Sequence, residues 1–421
     1  MIYSENEILQ YIDENDVKFI KLTFCDLNGK MKNISILSSE LACVFEHGLR
    51  ITARKFTGFD IAEGKDLYLF PDAKTMTVLP WRPQQGRVIR LFCYIMYKDG
   101  SHFEGDSRYF LKKAMKYAVQ KGLCFRFGTS CEFMLFKNDE DGMPTKIPHD
   151  FAGYCDIAPD DKGENLRRDV CLTLEQMNIH PVSSRHESGH GQHEIDFNAS
   201  SALKSADTFL SFKSAVKSVA EQHGVHASFM PKPINDDFGN GLHITINVFH
   251  DNDFFESEEK SSADDISGAA AGIIAHIRDF SLFTNSAVNS YRRINSNAIT
   301  WSSTDGEQII RIAFDGGDSP ITLRTADCAC NPYFVFGTII YASVEGIEKN
   351  ILLPKENEII GKLPSCLKSA INLAENSEFL KRYIPEKVLE KIISLKQSEW
   401  QEYDSTKNLT EFDYKDFLRN F

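Results

Sequence analysis

The stretch that most constrains this chain is Ser183 to Phe197, SSRHESGHGQHEIDF. Glu187 and Glu194 stand on either side of Gly189, His190 and Gly191, a trio that can reverse the chain. Two short extended arms would then aim both carboxylates into one cleft. A third carboxylate, Glu132, lies in GTSCEFMLF (Gly128 to Phe136), a strand-like run in which Ser130 and Glu132 share a face. Oxygen donors of this kind suit Mg²⁺ or Mn²⁺, whereas zinc asks for a Cys/His cluster that the sequence does not offer at useful spacing. Taken singly, each Glu is equally an ordinary solvated strand residue. The pairing around a glycine turn is what points to an ion.

A chain of 421 residues with 42% hydrophobic content can fill the cores of two domains. Its 47 basic and 60 acidic residues give a net charge of −13, which argues against nucleic acid or an anionic membrane as partner. The N-terminal MIYSENEILQYIDEND has early acids and no unbroken apolar run, unlike a signal or transit peptide. No apolar stretch is long enough to span a bilayer. Ten cysteines scattered without a CxxC pair predict reduced, mostly buried thiols, and with the other features a cytoplasmic protein.

Patterning predicts an α+β chain. After a short N-terminal helix, Val17 to Phe24 reads as a strand turned by Asp26, Asn28 and Gly29 into a second, Lys32 to Leu37. Short strands follow near 67–70, 75–79 and 88–97, closing a strand-rich unit at residues 1–103. Asp106 or Ser107 can cap the next helix and open a larger unit, 104–421. Within it Leu166, Val170, Leu174 and Met177 share one helical face, and Phe209, Phe212, Val216 and Val219 another. The Ala- and Gly-rich span Gly268 to Asn285 is predicted as one closely packed helix, Asp251 to Asp265 as an exposed acidic loop, and 363–421 as amphipathic helices with a charged tail.

Several segments, in order, resemble glutamine synthetase of the bacterial type: FCDLNGKMKNISI, LYLFPDAKTMTVLPW, GTSCEFMLF, HESGHGQHEIDF, GNGLHITINVF, NSYRRI and NPYFVFGTIIYASVEGI. The resemblance covers nearly the whole chain. It implies a β-grasp N-terminal domain and a catalytic domain with an antiparallel sheet and outer helices. It also implies sites between subunits of a homo-oligomeric ring, a hexamer or dodecamer. The family's chemistry is an ATP-dependent phosphorylation of glutamate followed by attack of an amine, with two divalent metals.

Carried over residue by residue, the resemblance implies that Glu132, Glu187 and Glu194 hold the first metal. The second metal's positions are Ser130, His243 and Thr322, so that two carboxylate ligands are replaced by hydroxyls, which leaves the second ion and ATP open. Glutamate contacts fall on Gly239, His243, Arg293 and Arg324, where a guanidinium is a natural fork for a carboxylate. Phe238 replaces an Asn, and the Glu-bearing flap after NSYRR is shortened to NSNAITW. Arg311 matches a phosphate contact, whereas Gly306 and Pro320 replace two others, and Thr52 stands where an ammonium-binding Asp is expected. His243 is alternatively a core histidine, and Arg293 and Arg324 structural ion pairs. Two functions follow: a glutamate-ammonia or glutamate-amine ligase, or a catalytically impaired homologue serving as a metal- and carboxylate-binding or regulatory subunit.

Overall fold

The computed structural model describes residues 3–82, 85–250, 262–294, 297–314 and 321–406. Ser4 caps α1 (Glu5–Glu14) in a reciprocal capping box with Glu7. The strands β1 (Val17–Cys25), β2 (Met31–Leu37), β3 (Leu49–Ile51), β4 (Leu67–Pro71), β5 (Thr77–Val78) and β6 (Arg87–Tyr97) follow, with α2 (Leu41–His47) between β2 and β3. They form a sheet ordered β2-β1-β6-β4-β3, with β5 also on β6; β1 and β6 run parallel and the other pairs antiparallel. Ile20, Leu22 and Phe24 alternate inward from β1 onto a core shared with Ile8, Leu69 and Phe103.

Asp106 joins this unit to the next. Its carboxylate accepts from the Arg108 and Tyr109 N–H groups as the N-cap of α3 (Ser107–Gln120), and from Ile95 N–H on β6 at 2.9 Å. A second tie is the turn at Gly29, where a Cβ would lie 2.8 Å from Asn331 Cα and where φ is +77°. Only a glycine meets both conditions.

The larger unit is built on strands β7 (Leu123–Asn138), β8 (Pro144–Pro148), β9 (Pro181–His186), β10 (Gln192–Ser201), β11 (Val225–Ser228) and β12 (Leu242–His250). Later come β13 (Ala298–Ile299), β14 (Trp301–Ser302), β15 (Ile310–Ile312), β16 (Ile321–Leu323) and β17 (Gly361–Lys362). Nine of these form one sheet ordered β14-β15-β16-β12-β7-β10-β9, with β8 and β11 also on β7, while β13 and β17 pair separately. Every pair in the large sheet is antiparallel except β14 with β15. The helices are α4 (Glu164–Gln176), α5 (Ala202–Gln222), α6 (Ala263–His276), α7 (Ser281–Thr284), α8 (Ser290–Arg293), α9 (Pro332–Glu348), α10 (Leu367–Glu375), α11 (Glu378–Tyr383) and α12 (Glu386–Ser405). The apolar faces read from sequence on α4 and α5 are buried. Among the described residues no helix is long and apolar enough to cross a membrane.

Two expectations are corrected. The span Gly268 to Asn285 is two helices, because α6 stops at His276, whose ring bonds Asp279 at 2.9 Å and stacks on Phe379 of α11. The last residues of the span expected to be an acidic loop are helical. Residues 251–261 lie outside the described residues, but Ser262 caps α6 and places Asp264 and Asp265 in its first turn, where negative charge favours the helix dipole. The small residues do serve close packing, since a Cβ on Gly272 would lie 2.0 Å from Ala342 O of α9. The predicted tail falls at 407–421, also outside the described residues.

Candidate active site

Strand register sets the site. Glu194 on β10 lies opposite Glu132 on β7, and Asp196 opposite Ser130; from the other side of β7, His243 on β12 also lies opposite Ser130. Opposed residues point to one face of a sheet. One face of three adjacent strands therefore carries Glu132, Ser130, Glu194, Asp196 and His243. The hairpin of β9 and β10 adds Arg185, opposite Glu194, and Glu187 just past the end of β9. Glu132, Arg185, Glu187, Glu194 and His243 line a cleft of about 1130 Å³ with Arg293, at the end of α8, and Arg324, just past β16.

Glu132, Glu194 and His243 each offer a ligand atom within 4.8 Å of the others. The His243 ring sits between the two acids, Nε2 at 3.8 Å from Glu132 Oε1 and Nδ1 at 3.6 Å from Glu194 Oε1. Glu132 is aimed by its other oxygen, which accepts from Gly241 N–H at 2.6 Å and from Gln192 Nε2 at 3.2 Å. Glu194 Oε1 is buried and accepts no hydrogen bond. Burial, opposed by the Gly241 N–H, pushes Glu132 up to about 7. Burial and the neighbouring Glu132 push Glu194 up to about 9. Burial, with Arg324 and Arg293 nearby, pushes His243 down to about 3, which keeps the imidazole neutral. Crowded carboxylates, an orphaned buried oxygen and a neutral imidazole are what a divalent oxygen-preferring ion would relieve. The donor set fits one ion here.

Glu187 is placed differently from its two partners in the sequence reading. Its Oε1 accepts from Arg185 Nε at 2.9 Å and its Oε2 from Ser188 N–H at 3.2 Å. The same guanidinium reaches Glu194 Oε2 and, at 2.8 Å, Asp196 Oδ2. Position 130 does not fit a second ion. Its hydroxyl stands beside Asp196, which Arg185 and Ser183 already bond, and a guanidinium repels a dication.

Of the expected acid-binding residues, Gly239, His243, Arg293 and Arg324 all line the cleft. Arg293 spends one amino group on the carbonyls of Thr325, at 2.5 Å, and Ala326, at 3.1 Å, while its buried Nε has no acceptor. Among the described residues the Arg324 guanidinium pairs with Glu307, at 3.9 Å. Phe238 is 57% exposed at the cleft wall. Thr322 lies opposite Arg311 on β15, and neither lines the cleft, nor do Ser130, Gly306 and the exposed Thr52. Pro320 and part of the shortened flap, residues 295–296, are outside the described residues. Sequence reasoning missed Arg185, Gln192, Asp196 and Glu307. Arg185 and Asp196 were within reach, since each stands two residues from a chosen Glu and so on its face of a strand. A second acidic group, Asp150 with His186 and His193, is an internal hydrogen-bond network: both His186 nitrogens are engaged and Arg167 lies 2.8 Å from His193 Nδ1.

Residues 104–415 match the family model described as glutamine synthetase, catalytic domain, and residues 16–98 that described as glutamine synthetase, beta-Grasp domain. The chain is 36% identical to a glutamine synthetase of Clostridium saccharobutylicum, over 95% of this chain and 96% of that one. It is 37% identical to one of Methanosarcina mazei, over 95% of each chain. With a glutamine synthetase of Staphylococcus aureus it shares 33% identity, over 100% of this chain and 99% of that one. A solved structure of GmaS without ligand superposes with a TM-score of 0.85 at 25% identity, covering 95% of this chain and 97% of that one.

Proposed function

The chain belongs to the glutamine synthetase family, and we propose on that premise that it is an ATP-dependent carboxylate-amine ligase joining glutamate, or a close relative, to ammonia or another amine. The observation that carries this reading is the convergence of Glu132, Glu194 and His243 with Arg293 and Arg324 in one cleft. The guanidinium groups of Arg324 and Arg293 take the substrate's carboxylate, and Gly239 lets Arg293 pack close, since a Cβ there would lie 2.7 Å from Arg293 Cγ. The two Glu and the imidazole hold one Mg²⁺ or Mn²⁺. Bound there, the ion would neutralise charge on an activated acyl group. A homo-oligomeric ring, hexamer or dodecamer, and a cytoplasmic location complete the proposal.

A second reading, a carboxylate-binding regulatory subunit without turnover, is favoured by the cations that are missing from the cleft. Arg311 lies outside it, Gly306 carries no side chain, and Glu307 brings a carboxylate to Arg324. Phosphoryl transfer needs positive charge around the triphosphate. The two readings separate in one assay. ADP release that requires glutamate together with ammonia or a small alkylamine supports the ligase, whereas glutamate binding by calorimetry without any such release supports the binding subunit.

A further inference from the structure

We propose that Arg185 is a resident cation of the cleft, a fixed positive charge that holds Glu194 in place and limits the site to a single divalent ion. Three nitrogens of its guanidinium each serve a different carboxylate: Nε bonds Glu187, one amino group Glu194 Oε2, and the other Asp196. That hub follows from the hairpin. Arg185 lies opposite Glu194 across the β9–β10 ladder, Glu187 is two residues on along the same face, and Asp196 is the diagonal neighbour.

The two oxygens of Glu194 divide the work. Oε2 belongs to Arg185, while Oε1 is buried, free of hydrogen bonds and turned towards His243. Arg185 thus aims at the ion the one oxygen that the ion needs, and it does so at every accessible pH because a guanidinium does not deprotonate. A second dication would find Glu187, one oxygen of Asp196 and one of Glu194 already bonded to Arg185. The inference deepens the ligase reading, and it rests on the ion site proposed there.

The test is Mn²⁺ titration of the intact protein, read by calorimetry and by the electron paramagnetic resonance of free Mn²⁺. The expected result is one Mn²⁺ per subunit in the wild type, two in Arg185→Ala, and one in Arg185→Lys, which keeps the charge but not the fork. Arg185→Ala without metal should also melt lower than wild type and gain more from excess Mn²⁺ than wild type does, whereas loss of a purely structural arginine would leave the Mn²⁺-induced gain equal in the two. Two ions in the wild type, or one in Arg185→Ala, overturns the inference and leaves the ion site standing. No ion in either protein sinks both. Should Arg185→Ala not fold, Asp196→Asn carries the test. Asp196 meets Arg185 through the oxygen that also accepts from Ser183, so Mn²⁺ affinity should stay within threefold of wild type, and a tenfold loss would mean that Asp196 is itself a ligand.

Discussion

Arg324→Ala is the sharpest probe of the acid-binding pocket. The Arg324 side chain is 29% exposed, and its ion pair is with Glu307 at 3.9 Å, a side chain 91% exposed. A pair so open to solvent contributes at most ~1 kcal/mol, and the Arg324 N–H bond to Ile309 O at 2.9 Å is backbone and survives the substitution. The melting temperature should therefore move by no more than ~2 °C. Loss of a charge-assisted hydrogen bond to a bound carboxylate costs about 1.5–3 kcal/mol, which is about 10- to 150-fold in affinity. Calorimetric titration of glutamate into the variant should show that weakening, with Arg324→Lys intermediate because an ammonium keeps charge without the planar fork. Arg293 is the poorer probe, since its removal also strips the Thr325 and Ala326 carbonyls of a partner. Glutamate affinity unchanged within twofold in Arg324→Ala would refute the assignment of this wall of the cleft to the acid.

Two further predictions concern pH and packing. Glu132 and Glu194 sit at about 7 and about 9 in the folded chain against an ordinary 4.5. Between pH 4.5 and 9 the metal-free fold thus binds more protons than the unfolded chain and loses stability as pH rises. Mn²⁺ must displace those protons, so its affinity should climb from pH 7 to 9, and melting curves with excess Mn²⁺ should be flatter against pH than those without; parallel curves would mean that neither acid meets the ion. Gly272→Ala forces a methyl against Ala342 O, 2.0 Å from where it would sit. The expected cost is about 1–3 kcal/mol, seen as a lower melting temperature, and an unchanged melt would show that α6 and α9 can move apart freely.

The parts of the site that were legible are those whose geometry is local. Glycines at 189 and 191 announce a reversal, and once β9 and β10 pair, Glu187 and Glu194 must face the same cleft. His243 is not local, because only the β7–β12 ladder brings it beside Ser130; the family resemblance supplied it where spacing had nothing to say. Arg185 was overlooked for a different reason. A search for ligands weighs acids and imidazoles, and a cation standing two residues before one of them was passed over although the period of a strand puts it on the same face. The break after His276 depends on a ring stacked against Phe379 from a distant helix, which no local pattern in GAAAGIIAHIRDF records.

The choice between ligase and binding subunit turns on how many cations remain once the cleft has met its own needs. Arg185 is committed to three carboxylates, and Arg293 is half spent on two backbone carbonyls. A substrate carboxylate then draws on Arg324 and on the second amino group of Arg293. A triphosphate entering the same cleft would face Glu307, with Lys232, bonded to the Asp237 carbonyl, as the further side-chain cation in the lining. Nucleotide would have to arrive carrying its own Mg²⁺, since the residues at 130 and 322 offer hydroxyls and not charge. On the ligase reading proposed above, the acid half of the reaction would rest on side chains that face the cleft, and the phosphoryl half on metal that arrives with the nucleotide.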